Sequence, residues 1–549
     1  MIRACFAASL LLLFACSTAS AQHDHGSATA GSGPPPLYAG LGTLHHKVST
    51  RSPLAQKYFD QGIRLAYAFN HDEAGRAFRE AARIDSTCAM AYWGQALVLG
   101  PNINAPMSPE AESRAYALAG RAQSLAAIAS EPERAYIAAL SKRYDAVAGT
   151  NRAAHDSAYA NAMRDVVKRY PNDLDAAALC AEALMDLRPW DLWTLDGKPQ
   201  PGAPEIISIL EGVLKRNPDH IGALHYYIHA VEASPEPARA EPYADRLAKL
   251  VPYAGHLVHM PSHIYLRVGR YEDAQAINSR AIAADRDYIK KQNVKGVYTV
   301  MYYPHNLHMR WSALCSQGRR ADALAAAKEL AEAVPDSVIH EMPMAEFFRP
   351  SRYLTQVRFG LWDEILKETA PPAGMPMRQA AWHYARGMAL AAKGNSAEAA
   401  AERDSVGAIA GSLPADAYFS LNPAAAVFRF AEAHLTGEIA ARSGKTDEAI
   451  SLLQKAVGLQ DSLRYDEPPP WSLTARQSLG AVLLAAGRAA DAEAVYREDL
   501  VRFPEEGWSL YGLTQALRAQ DKQKEAAAAE KRFRLAWARS DVTLQASRY

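Results

Sequence analysis

Seven histidines and one glutamate in the middle of the chain have the types and the spacing to hold a transition metal. His225 and His229 lie four residues apart, as do His259 and His263, and the second pair follows the first by 34 residues. Glu232, His256, His305 and His308 complete the group. Side chains at i and i+4 share one face of a helix, so a helical reading stacks the four paired imidazoles into a ladder. Imidazole is the commonest metal ligand, and its nitrogen binds zinc at about 2.0–2.1 Å. Packed helices lie about 8–10 Å apart, so rings reaching from adjacent helices can meet on a shared ion. Seven imidazoles and a carboxylate exceed one tetrahedral shell. They suit two ions, or one ion with supporting histidines. Zinc and copper lead on ligand type, and iron becomes eligible if the carboxylate binds.

Other chemistries find less support. His225-Tyr-Tyr-Ile-His229 has the spacing of the zinc-protease helix, but Tyr226 stands where that motif needs its glutamate base. The chain has no phosphate-cradling glycine loop, no G-x-S-x-G elbow and no CxxCH haem attachment. The sequence therefore names no catalytic residue. Glu182 could serve as a ligand or base, and Tyr227, Tyr302 and Tyr303 as donors, although each such residue is more often structural. A histidine-lined groove could instead take a peptide or acidic ligand without metal. A third reading is a scavenger in which the ladder, with His23 and His25, gathers metal for another protein. His155, His220, His340 and His383 read as ordinary core or surface histidines. His71 lies in a turn. His434 with Glu438 makes one isolated i, i+4 pair.

The elements that must position the ladder are helices. The chain has 549 residues, too many for one compact core, with 60 Lys+Arg against 60 Asp+Glu. That balance argues against a nucleic-acid partner, which would call for a basic face. Alanine, leucine, arginine and glutamate dominate, and β-branched runs are scarce, so the class is all-α. Residues 1–21 read as a signal peptide: Arg3, then an apolar run from Phe6 to Ala15 too short to span a bilayer. Cleavage after Ala19-Ser20-Ala21 competes with lipid attachment at Cys16 in an approximate lipobox, Leu13-Phe14-Ala15-Cys16. Both place the protein outside the bacterial inner membrane, in the periplasm or anchored to the envelope. No later stretch is apolar enough for a transmembrane helix. Residues 22–52, rich in His, Gly, Ser and Pro, are expected to form a flexible leader. Cys88, Cys180 and Cys315 define no disulfide framework.

From Pro53 onward the chain repeats. YFDQGIRLAYAFNHDEAGRAFREAARIDS places Gly62 where two helices cross, a turn at Phe69-Asn70-His71, and the packing series Ala74, Phe78, Ala81. Trp93-Gly94 occupies the equivalent place in the next unit. Further turns fall at Gly269, Gly318, Gly394, Gly444 and Gly487. The connection RPWDLWTLDGKPQPGAPE is long for a turn, and Trp190 and Trp193 mark it as an ordered aromatic flap. The pattern resembles the tetratricopeptide repeat superfamily, whose period is 34 residues, over nearly all of 53–534. The phrases FDQGIRLAYAFNHDEA, LRPWDLWTLDG, HYYIHAVEAS, HLVHMPSHIY, YYPHNLH and YDEPPPW resemble a group of exported bacterial repeat proteins with no established activity.

The resemblance implies a right-handed α-solenoid of about ten to twelve helical hairpins, here divided into 53–335, carrying the histidines, and 336–549. It also implies that positions 2, 5, 9 and 12 of each first helix line a concave groove. His225, His229 and Glu232 fall at 5, 9 and 12; His256, His259 and His263 at 2, 5 and 9; His305 and His308 at 2 and 5. Pro261 sits at position 7, so that helix starts late or kinks. The expected function is an exported repeat protein with a transition-metal site in its groove, acting as carrier or enzyme. The alternative is an envelope scaffold that binds a protein or peptide there.

The mass of the mature protein separates the two cleavage readings. A chain starting at Gln22 is expected from the A-x-A site, and a lipid-modified chain starting at Cys16, lost on Cys16→Ala, from the lipobox.

Overall fold

The computed structural model describes residues 33–549 apart from Ala148 and Thr150. The signal peptide, Cys16, His23 and His25 lie outside the described residues. Helices follow one another with short turns from Pro53–Ala66 to Gln523–Ala536, and the described strands amount to one two-residue pair, Tyr418–Phe419 with Asn422–Pro423. Each helix packs chiefly on its neighbours in sequence, as a solenoid requires.

The first hairpin shows why the chain folds this way. Ser52 caps the helix Pro53–Ala66 by accepting the Ala55 amide, with Pro53 in the first turn where its missing N–H costs nothing. Phe69, at φ 52°, reverses the chain into the helix His71–Ile84. Phe78 then inserts between two glycines. A Cβ on Gly62 would stand 2.5 Å from its ring, and one on Gly94 would stand 2.6 Å from it. Small residues face the large one on both neighbouring helices, as the repeat pattern requires. Tyr496 is clasped in the same way by Gly480 and Gly512 near the other end of the stack.

Residues 33–52 correct the expectation of a flexible leader. Leu41 and Val48 are buried, and Tyr38 donates from its hydroxyl to Glu73 at 2.7 Å. The Ser49 amide donates to Glu133, and His46 Nδ1 lies 2.8 Å from Asp175. Composition alone hides such partners, because they stand on helices as far away as residue 175.

The stack also closes on itself. The two largest apolar clusters run from Leu41 to Ala313 and from Ile282 to Leu544 and meet within the helices Tyr271–Gln292 and Tyr303–Ser316, ahead of residue 335, and a third from Ala440 to Ala529 fills the last hairpins. Late repeats then return to the earlier ones. Trp508 Nε1 donates to the Cys315 carbonyl, Asp541 accepts the amides of Arg320 and Ala321, and the Trp537 ring covers Gly318. Gly269, at φ +80°, lies against the Pro504 backbone.

Two glycines with the same backbone conformation separate local strain from this closure. Gly394 has φ +83° and open space around it, so Gly394→Ala should cost only the left-handed penalty of about 1–2 kcal/mol. At Gly269 a Cβ would stand 2.3 Å from the Pro504 carbonyl oxygen. Gly269→Ala should therefore lose more stability in urea and, unlike Gly394→Ala, expose the junction to limited proteolysis.

Candidate metal centre

Three consecutive first helices carry the histidines. The helix Ile221–Val231 presents His225 and His229 one turn apart, with Glu232 as its C-cap. The next first helix is broken in two by Pro261, into Gly255–His259 and Pro261–Arg267, so the interruption expected at that proline is a kink between two short segments. His256 and His259 come from the first segment and His263 from the second. Gly255 opens the first segment against Asp285, whose Oδ1 would lie 1.8 Å from a Cβ there. The same carboxylate accepts from Tyr298 and Asn306, each at 2.7 Å, which ties the third helix, Tyr303–Ser316, to this corner. A π-helical turn, Tyr298–Tyr302, precedes that third helix. Such turns are frequent at functional sites, and this one sets the Tyr302 ring 5.1 Å from His256, edge-on.

The ligand atoms fall into two sets of three. His225, His229 and His256 form one, and His259, His263 and His305 the other, each with its candidate atoms within 4.8 Å of one another. The sets abut. His256 stacks on His259 at 5.7 Å between ring centroids, and His229 lies edge-on to His263 at 5.5 Å. Glu232 joins the two sets, grouped with His229 and His263.

The outer nitrogens are held by fixed acceptors. His225 Nδ1–H donates to the Tyr67 carbonyl at 2.7 Å. His229 and His263 donate from Nδ1 to the two oxygens of Glu232, at 2.7 and 2.5 Å. His259 donates from Nδ1 to Asn278 Oδ1 at 2.8 Å, and Asn278 is oriented by its own bond to the Ala274 carbonyl. Carbonyl and carboxylate oxygens only accept, so all four rings carry a proton on Nδ1 and turn Nε2 inward. The inward nitrogens converge. His259 Nε2 and His263 Nε2 stand at hydrogen-bond distance, 2.7 Å, and His256 Nε2 lies 3.1 Å from His225 Nε2. His229 Nε2 is buried and has no partner.

Electrostatics follow from burial. Burial, reinforced by neighbouring histidines, pushes His225, His256, His259 and His305 well below the usual imidazole range. Burial opposes ionisation of Glu232 as well, but His263 and His229 more than offset it and hold that carboxyl at about 2. Glu232 therefore sits as an anion against the Nδ1–H groups of His229 and His263.

Two expected members take different places. His308 belongs to neither set. It lies three residues past His305, about 60° off that face of the helix, and stacks on Trp311 at 5.2 Å beside Phe347 and Phe348. Burial pushes its pKa down to about 3. Glu232, expected as the carboxylate ligand, spends both oxygens on Nδ1–H groups and on the Tyr465 hydroxyl at 3.2 Å, so it orients imidazoles from behind. Glu182 lies buried beside Asp186 and Arg143, and burial, then Asp186, raises its carboxyl well above the usual range.

The flap forms as expected. Trp193 Nε1 donates to the Ala230 carbonyl, and the Trp190 ring meets His229 edge-on at 5.3 Å. Sequence reasoning missed Phe69, whose ring lies 4.5 Å from His225 and stacks on His229 and His256 at 6.2 and 5.7 Å. It also missed Tyr465, which packs under the Arg267 guanidinium, and buried Glu467 beside them. Burial, then the charge of Glu232, raises the Glu467 carboxyl well above its usual range. Both stretches stand in distinctive phrases, AYAFNHDEA and YDEPPPW, but nothing local links either to a histidine more than 150 residues away.

No protein-family model matches the chain, and no curated relative does. Solved structures do. The human IFIT1 dimer with m7Gppp-AAAA aligns over 89% of this chain and 92% of its own, at 13% identity and a TM-score of 0.33. The P58(IPK) TPR domain aligns over 86% and 99%, at 13% identity and 0.24. Cut9–Hcn1 of the APC/C aligns over 88% and 94%, at 12% identity and 0.27. The stack of helical hairpins is an α-solenoid on its own geometry. Nothing about family, role or ligands follows from these similarities. Among the described residues no helix is long and apolar enough to cross a membrane.

The metal-free protein should lose stability as pH falls. For a base whose folded pKa is depressed, the unfolded chain takes up protons below about pH 6.5 while the folded one does not. The loss therefore begins near that pH and continues towards the folded values of His225, His256, His259 and His305. Glu232, lowered to about 2, adds a second loss below its unfolded value. Thermal unfolding of metal-free protein from pH 8 to 4 should show a declining midpoint below pH 6.5, with a shallower decline in His256→Phe.

Proposed function

We propose that this protein is an exported transition-metal protein whose site is built from His225, His229, His256, His259, His263 and His305. One observation carries the reading. Six imidazoles converge in two sets of three, each with its candidate ligand atoms within 4.8 Å of one another, and His259 and His263 turn Nε2 towards each other at 2.7 Å while both Nδ1–H groups are committed elsewhere. A single hydrogen can bridge two nitrogens at that distance in the metal-free protein, and a cation can replace it. Two nitrogens on one ion at about 2.0–2.1 Å would stand about 3.4 Å apart, so small rotations of the rings admit the metal. The supporting hydrogen bonds match the second shell of metal-binding imidazoles, where a carboxylate or carbonyl fixes the tautomer. Zinc, copper and iron remain the candidate ions by ligand type, and the role is that of a carrier or a metal-dependent enzyme.

The concave surface could also receive a peptide or envelope protein without metal, as the fold allows. At the histidines themselves that reading is the weaker one, because Phe69, Tyr465 and Trp190 already cover the rings. Export rests on the N-terminal sequence, with Cys16 as the candidate lipid anchor.

The test is elemental analysis of untagged protein beside the His229→Ala/His263→Ala double variant. At least one equivalent of metal per chain is expected in the parent, lost in the variant with far-UV circular dichroism unchanged. Glu232→Gln should keep the fold and weaken binding about 10–100-fold, since an amide can accept from only one of the two rings. Protein that stays metal-free after reconstitution would return the groove to the scaffold reading.

A further inference from the structure

Resting on that reading, we infer that the groove holds two adjacent copper ions, one in each set of three imidazoles.

The number follows from the grouping. Six imidazoles converge as two triads, each with the ligand count of a three-coordinate site, and the triads touch through His256 with His259 and His229 with His263. Four of the six rings have Nδ1 fixed by acceptors that belong to neither set's ligands: the Tyr67 carbonyl, Asn278 and both oxygens of Glu232. Glu232 serves one ring of each triad, so the two sets share a single anion.

Copper follows from the donors. Each set offers three imidazole nitrogens and no thiolate, and Glu232, grouped with His229 and His263, spends both oxygens on their Nδ1–H groups. Cu(I) accepts neutral nitrogen donors and tolerates three ligands. Copper also stands highest among divalent first-row metals for nitrogen sites, so the same shells keep the ions after oxidation. Access lies on the side of Tyr302 and His305, which are partly exposed while the other five histidines are buried.

The experiment uses full-length mature protein, stripped of metal and titrated anaerobically with Cu(I) against a chromophoric chelator. Two equivalents per chain are expected. Ferricyanide then oxidises the loaded protein, each Cu(I) giving one electron to one ferricyanide, and the Cu(II) spins are integrated by electron paramagnetic resonance. The doubly loaded parent should integrate to well under two spins or show a dipolar-broadened signal. His305→Ala, chosen because that ring is partly exposed, should bind one equivalent and give one full, sharp spin. His256→Ala should do the same from the other triad, so one misfolded variant does not decide the matter. Saturation at one copper, or two copper ions with two undisturbed spins, would overturn the paired centre while leaving a metal site intact. Zinc uptake without copper uptake would overturn the copper assignment. No metal of any kind would overturn both this inference and the reading beneath it.

Discussion

Glu232 lies between His229 and His263, and the centre depends on that carboxylate. It ends one first helix and reaches the next, taking a proton donor from each. By holding both Nδ1–H groups it turns both Nε2 atoms inward. Without it two buried Nδ1–H groups would lose their acceptor, at about 1–3 kcal/mol each, and the rings would be free to turn. Arg267 secures the same corner by donating to the backbone carbonyls of Glu232 and Ser234. The position of one carboxylate thus couples packing between two repeats to the chemistry of both triads.

Around that contact the solenoid departs from an open groove. Phe69 arrives from the first hairpin through a left-handed turn, Trp190 from the flap, Tyr302 from the π-helical turn, and Tyr465 from the later repeats. Aromatic surfaces exclude water from rings whose Nδ1 donors are already satisfied. The repeats supply a regular lattice of helix positions. The irregular pieces, a kink at Pro261, a long connection and a π-helical turn, turn that lattice into an enclosed site.

Much of this was legible in the sequence because it is local. The 34-residue recurrence of His225/His229 and His259/His263 fixed both the repeat and the shared face, and Gly62, Phe78 and Gly94 marked the crossing that the structure shows. Trp190 was legible through the length of its loop. What escaped was set by rotation and by distance. His308 fits the groove by repeat position, yet its place three residues after His305 turns it onto Trp311. Glu232 carries no sign in the sequence of whether it binds an ion or a ring, since both roles need an inward carboxylate. Phe69 and Tyr465 reach the centre through packing between elements far apart in the chain, and residues 33–52 are held by partners on later helices.

The place of Tyr465 in the chain order has a consequence for how the centre is completed. A polypeptide emerging from its N-terminus presents every one of the six imidazoles once residue 305 is out, but the hydroxyl that touches Glu232 is separated from it by 233 residues. For that interval the basin exists without its late-arriving cover. The order of synthesis therefore leaves the six rings and Glu232 without that cover until the later repeats dock, so those repeats complete a centre whose imidazoles all come from residues 225–305.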